Sequence, residues 1–322
     1  LHLTDLRAAL PGGGELTGDA QWQADQAELN VRATRLDLAQ LHGSLRSTAL
    51  AGLISAKRTA AEQHFQIALS DPRFRIDAEG RLAAARLHLP RLTLSSGAAS
   101  LSAHGELQLD GARRLSASGQ LNHFDPARFG RFPAADLNAR FDVQGSLGER
   151  GGPQLDGQLH LNHSRFAGQP LNGGGRLQWQ GSTALRLDLD VQAGANRLQA
   201  HGGLGNAEDR LVLNLTAPQL APFGLTGDLD AQAVLTGALT APAVEARIHS
   251  RQLARNGLGQ IEQLSLSSRF DPRGDAALTF ELGMRRAALP DWPELIRDVT
   301  LQAAGRNSAH QIRLQATVDR QQ

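Results

Sequence analysis

The chain has 322 residues, 41% of them hydrophobic and 20% charged, and a formal net charge of +1. Basic residues are spread along it, which excludes the broad electrostatic footprint of a nucleic-acid binder, and the absence of cysteine excludes disulfides and thiolate metal sites. No run approaches the ~18 consecutive apolar residues of a membrane span, and none has the layout of a secretory signal. The first residue is Leu1 rather than Met, so the sequence is expected to be a processed or excised piece of a longer chain, with any membrane anchor outside it.

In chain order, Gly12-Gly13-Gly14 reads as a loop. Residues 15–43 carry an interrupted alternation (Leu16, Trp22, Leu29, Val31, Leu36, Leu38, Leu41) that predicts three or four strands. Residues 44–61 are ambiguous. Leu45, Ala49, Leu53, Ala56 and Ala60 have near-helical spacing, but Gly52 would cost a helix about 1 kcal/mol and the left flank resembles later strand ends, so a strand is favoured. Residues 65–109 read as strands separated at Asp71-Pro72 and Gly80. Residues 115–121 form another strand, and Phe124-Asp125-Pro126-Ala127-Arg128-Phe129-Gly130 reads as a loop or a single helical turn, since Asp-Pro starts turns.

Strands resume over residues 137–161, broken at 148–153, and Gly173-Gly174-Gly175 is read as opening the strand that carries Trp179. In Leu185-Arg186-Leu187-Asp188-Leu189-Asp190-Val191 the charges fall on one face and the leucines on the other. Leu211-Val212-Leu213-Asn214-Leu215 follows the same grammar. Pro218 and Pro222 then interrupt pairing, and Leu225-Thr226-Gly227-Asp228-Leu229 restarts it. After the turn Asp271-Pro272-Arg273-Gly274 comes Leu278-Thr279-Phe280-Glu281-Leu282. A short helix is predicted over residues 291–297, capped by Asp291 with Pro293 in its first turn. Two strands, near 299–303 and 311–318, finish the chain.

Above these elements lies a period. Residues 92–109, LTLSSGAASLSAHGELQL, return 97 positions later as residues 189–204, LDVQAGANRLQAHGGL. Gly97 falls on Gly194, Leu101 on Leu198, and His104-Gly105 on His201-Gly202. In both, Gly97 and Gly105 with their counterparts read as breaks between half-buried strands. Leu41-His42-Gly43-Ser44-Leu45 resembles Val143-Gln144-Gly145-Ser146-Leu147 and Leu235-Thr236-Gly237-Ala238-Leu239. Pro153-Gln154-Leu155 parallels Pro242-Ala243-Val244. These matches predict one continuous segment over 1–322 with approximate repeats 14–91, 92–188 and 189–285, and the start of a further unit over 286–322.

The apolar-x-apolar-x-x-Gly-x-x-x-Leu-x-x-x-Gly pattern at Leu92 and Leu189, with Leu225-Thr226-Gly227-Asp228-Leu229, Leu235-Thr236-Gly237 and Pro242 in that order, resembles the periplasmic portion of the TamB family. That family is similar to the AsmA-like and repeating β-groove proteins that carry lipid between membranes. The resemblance implies an all-β protein, a long curved antiparallel sheet folded into a taco or groove with an apolar inside. About 25 strands at ~4.8 Å each would make a channel segment on the order of 100 Å long. It also implies a bacterial periplasmic location with an inner-membrane anchor, a TamA-like outer-membrane barrel partner for the full-length protein, and no catalytic residues.

On that reading the dry faces line a groove that shields phospholipid acyl chains, at about 0.8 kcal/mol per buried methylene. The groove candidates are Leu107, Leu109, Leu185, Leu187, Leu189, Leu211, Leu213 and Leu215. Two other readings stand beside this one. A chaperone-like scaffold would offer a strand edge to incoming outer-membrane strands, and a closed structural β-solenoid would bury the dry face in itself. No cofactor and no metal is expected. His160 and His163, at i and i+3 on a strand, point to opposite faces, and His104 and His201 read as strand-end features. Asp188 and Asp190 share a face but read as solvated, and Gly202-Gly203-Leu204-Gly205 has no Lys-Ser/Thr after it, so it is no phosphate loop.

Overall fold

The computed structural model describes residues 1–40, 42–148, 152–288 and 294–320. It is built almost wholly of antiparallel strands and divides into two compact units, residues 1–166 and 167–322. The first holds β1 (His2–Leu10), β2 (Gly14–Gln23), β3 (Gln26–Leu36), β4 (Leu50–Arg58), β5 (Glu62–Ser70), β6 (Arg75–Ala83), β7 (Arg86–Ser96), β8 (Ala99–Gln108), β9 (Arg114–Phe124), β10 (Ala135–Ser146) and β11 (Gln154–Phe166). Each pairs antiparallel with the next. One helical turn, α1 (Pro126–Phe129), joins β9 to β10, N-capped by Asp125 with Pro126 in the first position.

The second unit holds β12 (Gln169–Gln180), β13 (Ala184–Ala193), β14 (Asn196–Leu204), β15 (Arg210–Ala217), β16 (Thr226–Gly227), β17 (Leu229–Thr236), β18 (Ala243–Arg255), β19 (Gly259–Phe270), β20 (Ala277–Ala288), β21 (Glu294–Arg306) and β22 (Ala309–Arg320). It too is a meander, except that β15 pairs with β17 while the two residues of β16 reach over to β18. With successive strands antiparallel throughout, neither unit has the parallel coils of a β-helix.

The two stretches of the sequence period each run through a hairpin. Residues 92–109 run through the β7–β8 hairpin and residues 189–204 through β13–β14, with Gly97 and Gly194 in the turns at φ 60° and 61°. Left-handed backbone of this kind strains a residue with a Cβ, which is why glycine recurs there. Leu94 then faces Leu101 as Val191 faces Leu198.

Several elements differ from the sequence reading. Where three or four strands were expected over residues 15–43, the described residues hold two long ones, β2 and β3, and β1 precedes them. Over residues 44–61 the strand is confined to β4, and 44–49 is connector because Thr48 and Ala49 donate their N–H groups to Asp37 and Asp71 instead of a ladder. Gly80, Gly105 and the Gly173–Gly175 triplet lie inside strands rather than between or before them. At Gly80 the glycine serves close approach, since a Cβ would sit 2.1 Å from the ring of Phe65 on the neighbouring strand. The helix expected over 291–297 is replaced, from Glu294 onward, by β21. There Ile296 pairs with Ala287 on one side and Val318 on the other, and a two-sided ladder outweighs a capping signal. Asp291 and Pro293 lie outside the described residues. The strands number 22 among the described residues, against about 25 expected.

Candidate ligand-binding face

Residues directly opposite in an antiparallel ladder share a face, so the register sorts every side chain. Across all eleven strands of the first unit one row reads Leu6, Gly18, Val31, Ile54, Ile67, Ala78, Leu92, Ala103, Gly119, Phe141, Leu159. On the opposite face a row reads Asp19, Asn30, Ser55, Gln66, Glu79, Arg91. The second unit repeats the contrast. From β12 its apolar row is Gly173, Val191, Leu198, Leu215, Ala231, Ile248, Leu266, Leu282, Leu301, Leu314. Its polar row from β13 is Asp190, Gln199, Asn214, Gln232, Arg247, Ser267, Glu281, Gln302, Arg313.

Much of the apolar face is only half covered. Leu198 is 41% exposed and Leu314 66%, and most of the row between them is partly buried. Full cover is local. In the first unit Leu50 (0% exposed), Phe74 (3%), Ala33 and Leu69 form a core on which Leu38 and Phe129 pack.

Of the candidate residues, Leu185, Leu187 and Leu189 on β13 and Leu211, Leu213 and Leu215 on β15 fall on one face of the second unit. Gly202 of β14 stands between Leu187 and Leu211, and Ala200 between Leu189 and Leu213. Ala200 (2% exposed) and Leu211 (5%) are buried there, while the other five leucines are half-buried. Leu107 lies on the apolar face of the first unit, opposite Leu87 and Leu115. Leu109 lies beyond the end of β8, 46% exposed, with its N–H donated to the Ala85 carbonyl at 2.7 Å. Sequence reasoning missed β1 and the Phe74, Phe124 and Phe129 cluster. Its signal was three phenylalanines at a strand end and in connectors, in a chain where only 4% of residues are aromatic.

Ion pairs link charged side chains along and across the strands. Arg197 Nε donates to Asp190 Oδ1 at 2.8 Å, and this guanidinium holds the Asp190 carboxyl below the usual range. Glu245 accepts from Arg247 at 3.0 Å and Arg269 at 3.1 Å, and Glu262 from Arg285 at 3.0 Å. Exposed pairs of this kind contribute about 0.2–1 kcal/mol each. Asp188, 74% exposed, lies 3.7 Å from His201. Among the described residues no three His, Asp or Glu side chains gather as metal ligands, and no helix is long and apolar enough to cross a membrane. What the apolar face offers a ligand is desolvation, without a nucleophile or an acid–base pair.

The chain matches the family described as "TamB, N-terminal domain" over residues 60–321, well over half its length. No curated protein and no solved structure is matched. TamB proteins work in the translocation and assembly module, a non-enzymatic transport and assembly apparatus associated with the periplasm and inner membrane. Two meandering units, each dry on one face and wet on the other, and a family match running from β5 into the last strand lead to one conclusion: this chain belongs to the TamB family.

Proposed function

We propose that the apolar face is a conduit for phospholipid acyl chains, carrying lipid between the inner and outer membranes in concert with a TamA-like barrel partner. The observation that carries this reading is the unbroken apolar row in each unit, left half exposed where an ordinary sheet of this size would be packed against a second layer. A hydrocarbon chain laid along the row exchanges water for leucine, valine and alanine at about 0.8 kcal/mol per methylene. The polar row on the other face keeps the sheet hydrated while the dry face is occupied. Leu107, Leu185, Leu187, Leu189, Leu211, Leu213 and Leu215 line the conduit, and Leu109 stands at its margin.

The test is photocrosslinking from a lipid with a diazirine in its acyl tail. Substituting Leu187→Glu and Leu213→Glu together places two carboxylates on the dry face of β13 and β15. The fold survives, since both side chains are already partly solvated, while adducts on these strands disappear. Undiminished adducts in a folded double variant would remove these residues from the conduit.

A further inference from the structure

In the first unit two connectors bend over one rim of the apolar face and meet. One is residues 42–49, leading into β4, and the other is α1 with the two residues after it. Arg46 N–H donates to the Phe129 carbonyl at 2.8 Å and Arg131 N–H to the Ser44 carbonyl at 3.0 Å, which sets Leu45 opposite Gly130 in an isolated antiparallel bridge. Strands β4 to β9 lie between the two connectors, a distance of about 24 Å along a flat sheet at ~4.8 Å per strand. The strap is moored at both halves: Arg73 Nη2 donates to the Ser47 carbonyl at 3.0 Å and Arg128 Nη1 to the Ser96 carbonyl at 2.9 Å.

What the strap carries inward is Phe129. Its ring lies 5.1 Å from that of Phe74 and 4.7 Å from that of Phe124, against the core formed by Leu50 and Leu69. The surface beneath is a stretch of the same apolar face, much of which is half exposed elsewhere. The buried hydroxyl of Thr48 is already engaged, donating to the Leu36 carbonyl and accepting from Leu38 N–H. The two halves of the cover are joined by two backbone hydrogen bonds and one helical turn, which is too short to hold itself. The strands of the unit are held by ladders of seven or more residue pairs.

We propose that this strap is a displaceable lid: Phe129 fills a place on the apolar face that the hydrocarbon tail of an amphiphile takes when the Leu45–Gly130 bridge opens. The proposal rests on the reading of that face as an acyl-chain conduit and adds a point at which access to it is controlled.

The chain has no cysteine, so Ser44→Cys and Arg131→Cys can be joined by a short cleavable thiol crosslinker in the whole protein. The linked and the cleaved protein are mixed with phosphatidylethanolamine–phosphatidylglycerol vesicles that contain a diazirine-tailed phospholipid. Adducts are then mapped by mass spectrometry. Cleaved protein is expected to carry adducts at Leu50, Leu69 and Phe74, and linked protein to lose them while keeping those at Leu187 and Leu213. Gly130→Ala gives a second route. A Cβ there would meet the Ser44 carbonyl oxygen at 2.4 Å, so this variant opens the bridge and raises labelling at Leu50, Leu69 and Phe74. Equal labelling beneath the strap in linked and cleaved protein overturns the lid, because lipid then arrives with the bridge shut. Labelling on the second unit alone, in every variant, also overturns it and makes the strap a fixed plug. No labelling anywhere overturns the conduit reading, and the lid falls with it.

Discussion

Single residues show how closely neighbouring strands approach. A Cβ on Gly119 would sit 2.3 Å from the Ser102 carbonyl oxygen on one side and 2.6 Å from the ring of Phe141 on the other, so β8, β9 and β10 cannot admit one without moving apart. Gly119→Ala is expected to cost about 1–3 kcal/mol, read as a lower midpoint in urea unfolding with an unchanged slope. The turn at Asp271 supplies an electrostatic case. Arg273 donates to both carboxylate oxygens, at 2.9 and 2.8 Å, and with its own backbone N–H holds the Asp271 carboxyl down at about 2, against 3.8 ordinarily. A depressed carboxyl adds stability above the unfolded value and loses it as the pH falls through the folded one. The stability difference between wild type and Asp271→Asn should therefore shrink as the pH falls below about 4 and level off only below pH 2. A carboxyl NMR titration checks the cause directly, because Arg273→Ala should bring Asp271 back up toward 3.8. The sequence showed this turn as Asp-Pro-Arg-Gly. It could not show that Gly80 and Gly105 sit mid-strand, because whether a glycine breaks a strand or lets two strands close up depends on what the next strand brings opposite it.

At the level of elements, alternation was a sound guide wherever a strand keeps its register and a poor one where a bulge shifts it. Asp5, Arg35, His123, His163 and Asp298 each take a positive φ at a register shift, and each shift exchanges the faces of the residues on either side. Asn138 ties two of these bulges together: its Oδ1 accepts from His123 N–H at 2.9 Å and its Nδ2 donates to the His163 carbonyl at 3.2 Å. No short-range pattern announces such a pairing across three strands. The connector between β15 and β17 depends on a similar device. Asp228 is 7% exposed, and it accepts from the N–H groups of Arg251 and Gln252 and from Arg251 Nε at 3.0 Å. Burial pushes this carboxyl up, but the Arg251 guanidinium and the two amides outweigh it and leave it lowered. Asp228→Ala strands those donors, and about 1–3 kcal/mol of stability should go with them in urea unfolding, whereas Asp228→Asn should lose less.

On the scale of the whole molecule, an all-β chain with one dry and one wet face was legible from the leucine spacing of residues 185–191 and 211–215 alone. The six leucines of those stretches do share a face, since β13 and β15 flank the small-residue strand β14. Which parts of that face are covered was not legible, because the cover comes from phenylalanines in connectors with no periodicity of their own. A face left this open should bind 1-anilinonaphthalene-8-sulfonate in the native state at neutral pH, with fluorescence falling as phospholipid is added. A native protein that leaves the dye dark would mean the apolar rows are closed over. The meander itself bears on how the chain comes to be built. Nearly every ladder joins a strand to the one just made, so hairpins can close one after another from the N-terminal end, each with a short search. Among the described residues, β15–β17 and β16–β18 skip one strand, while Leu45 and Gly130 pair across six intervening strands. Their bridge must wait until β9 is in place, so the nascent sheet stays open along that rim through most of its own folding and shuts there late.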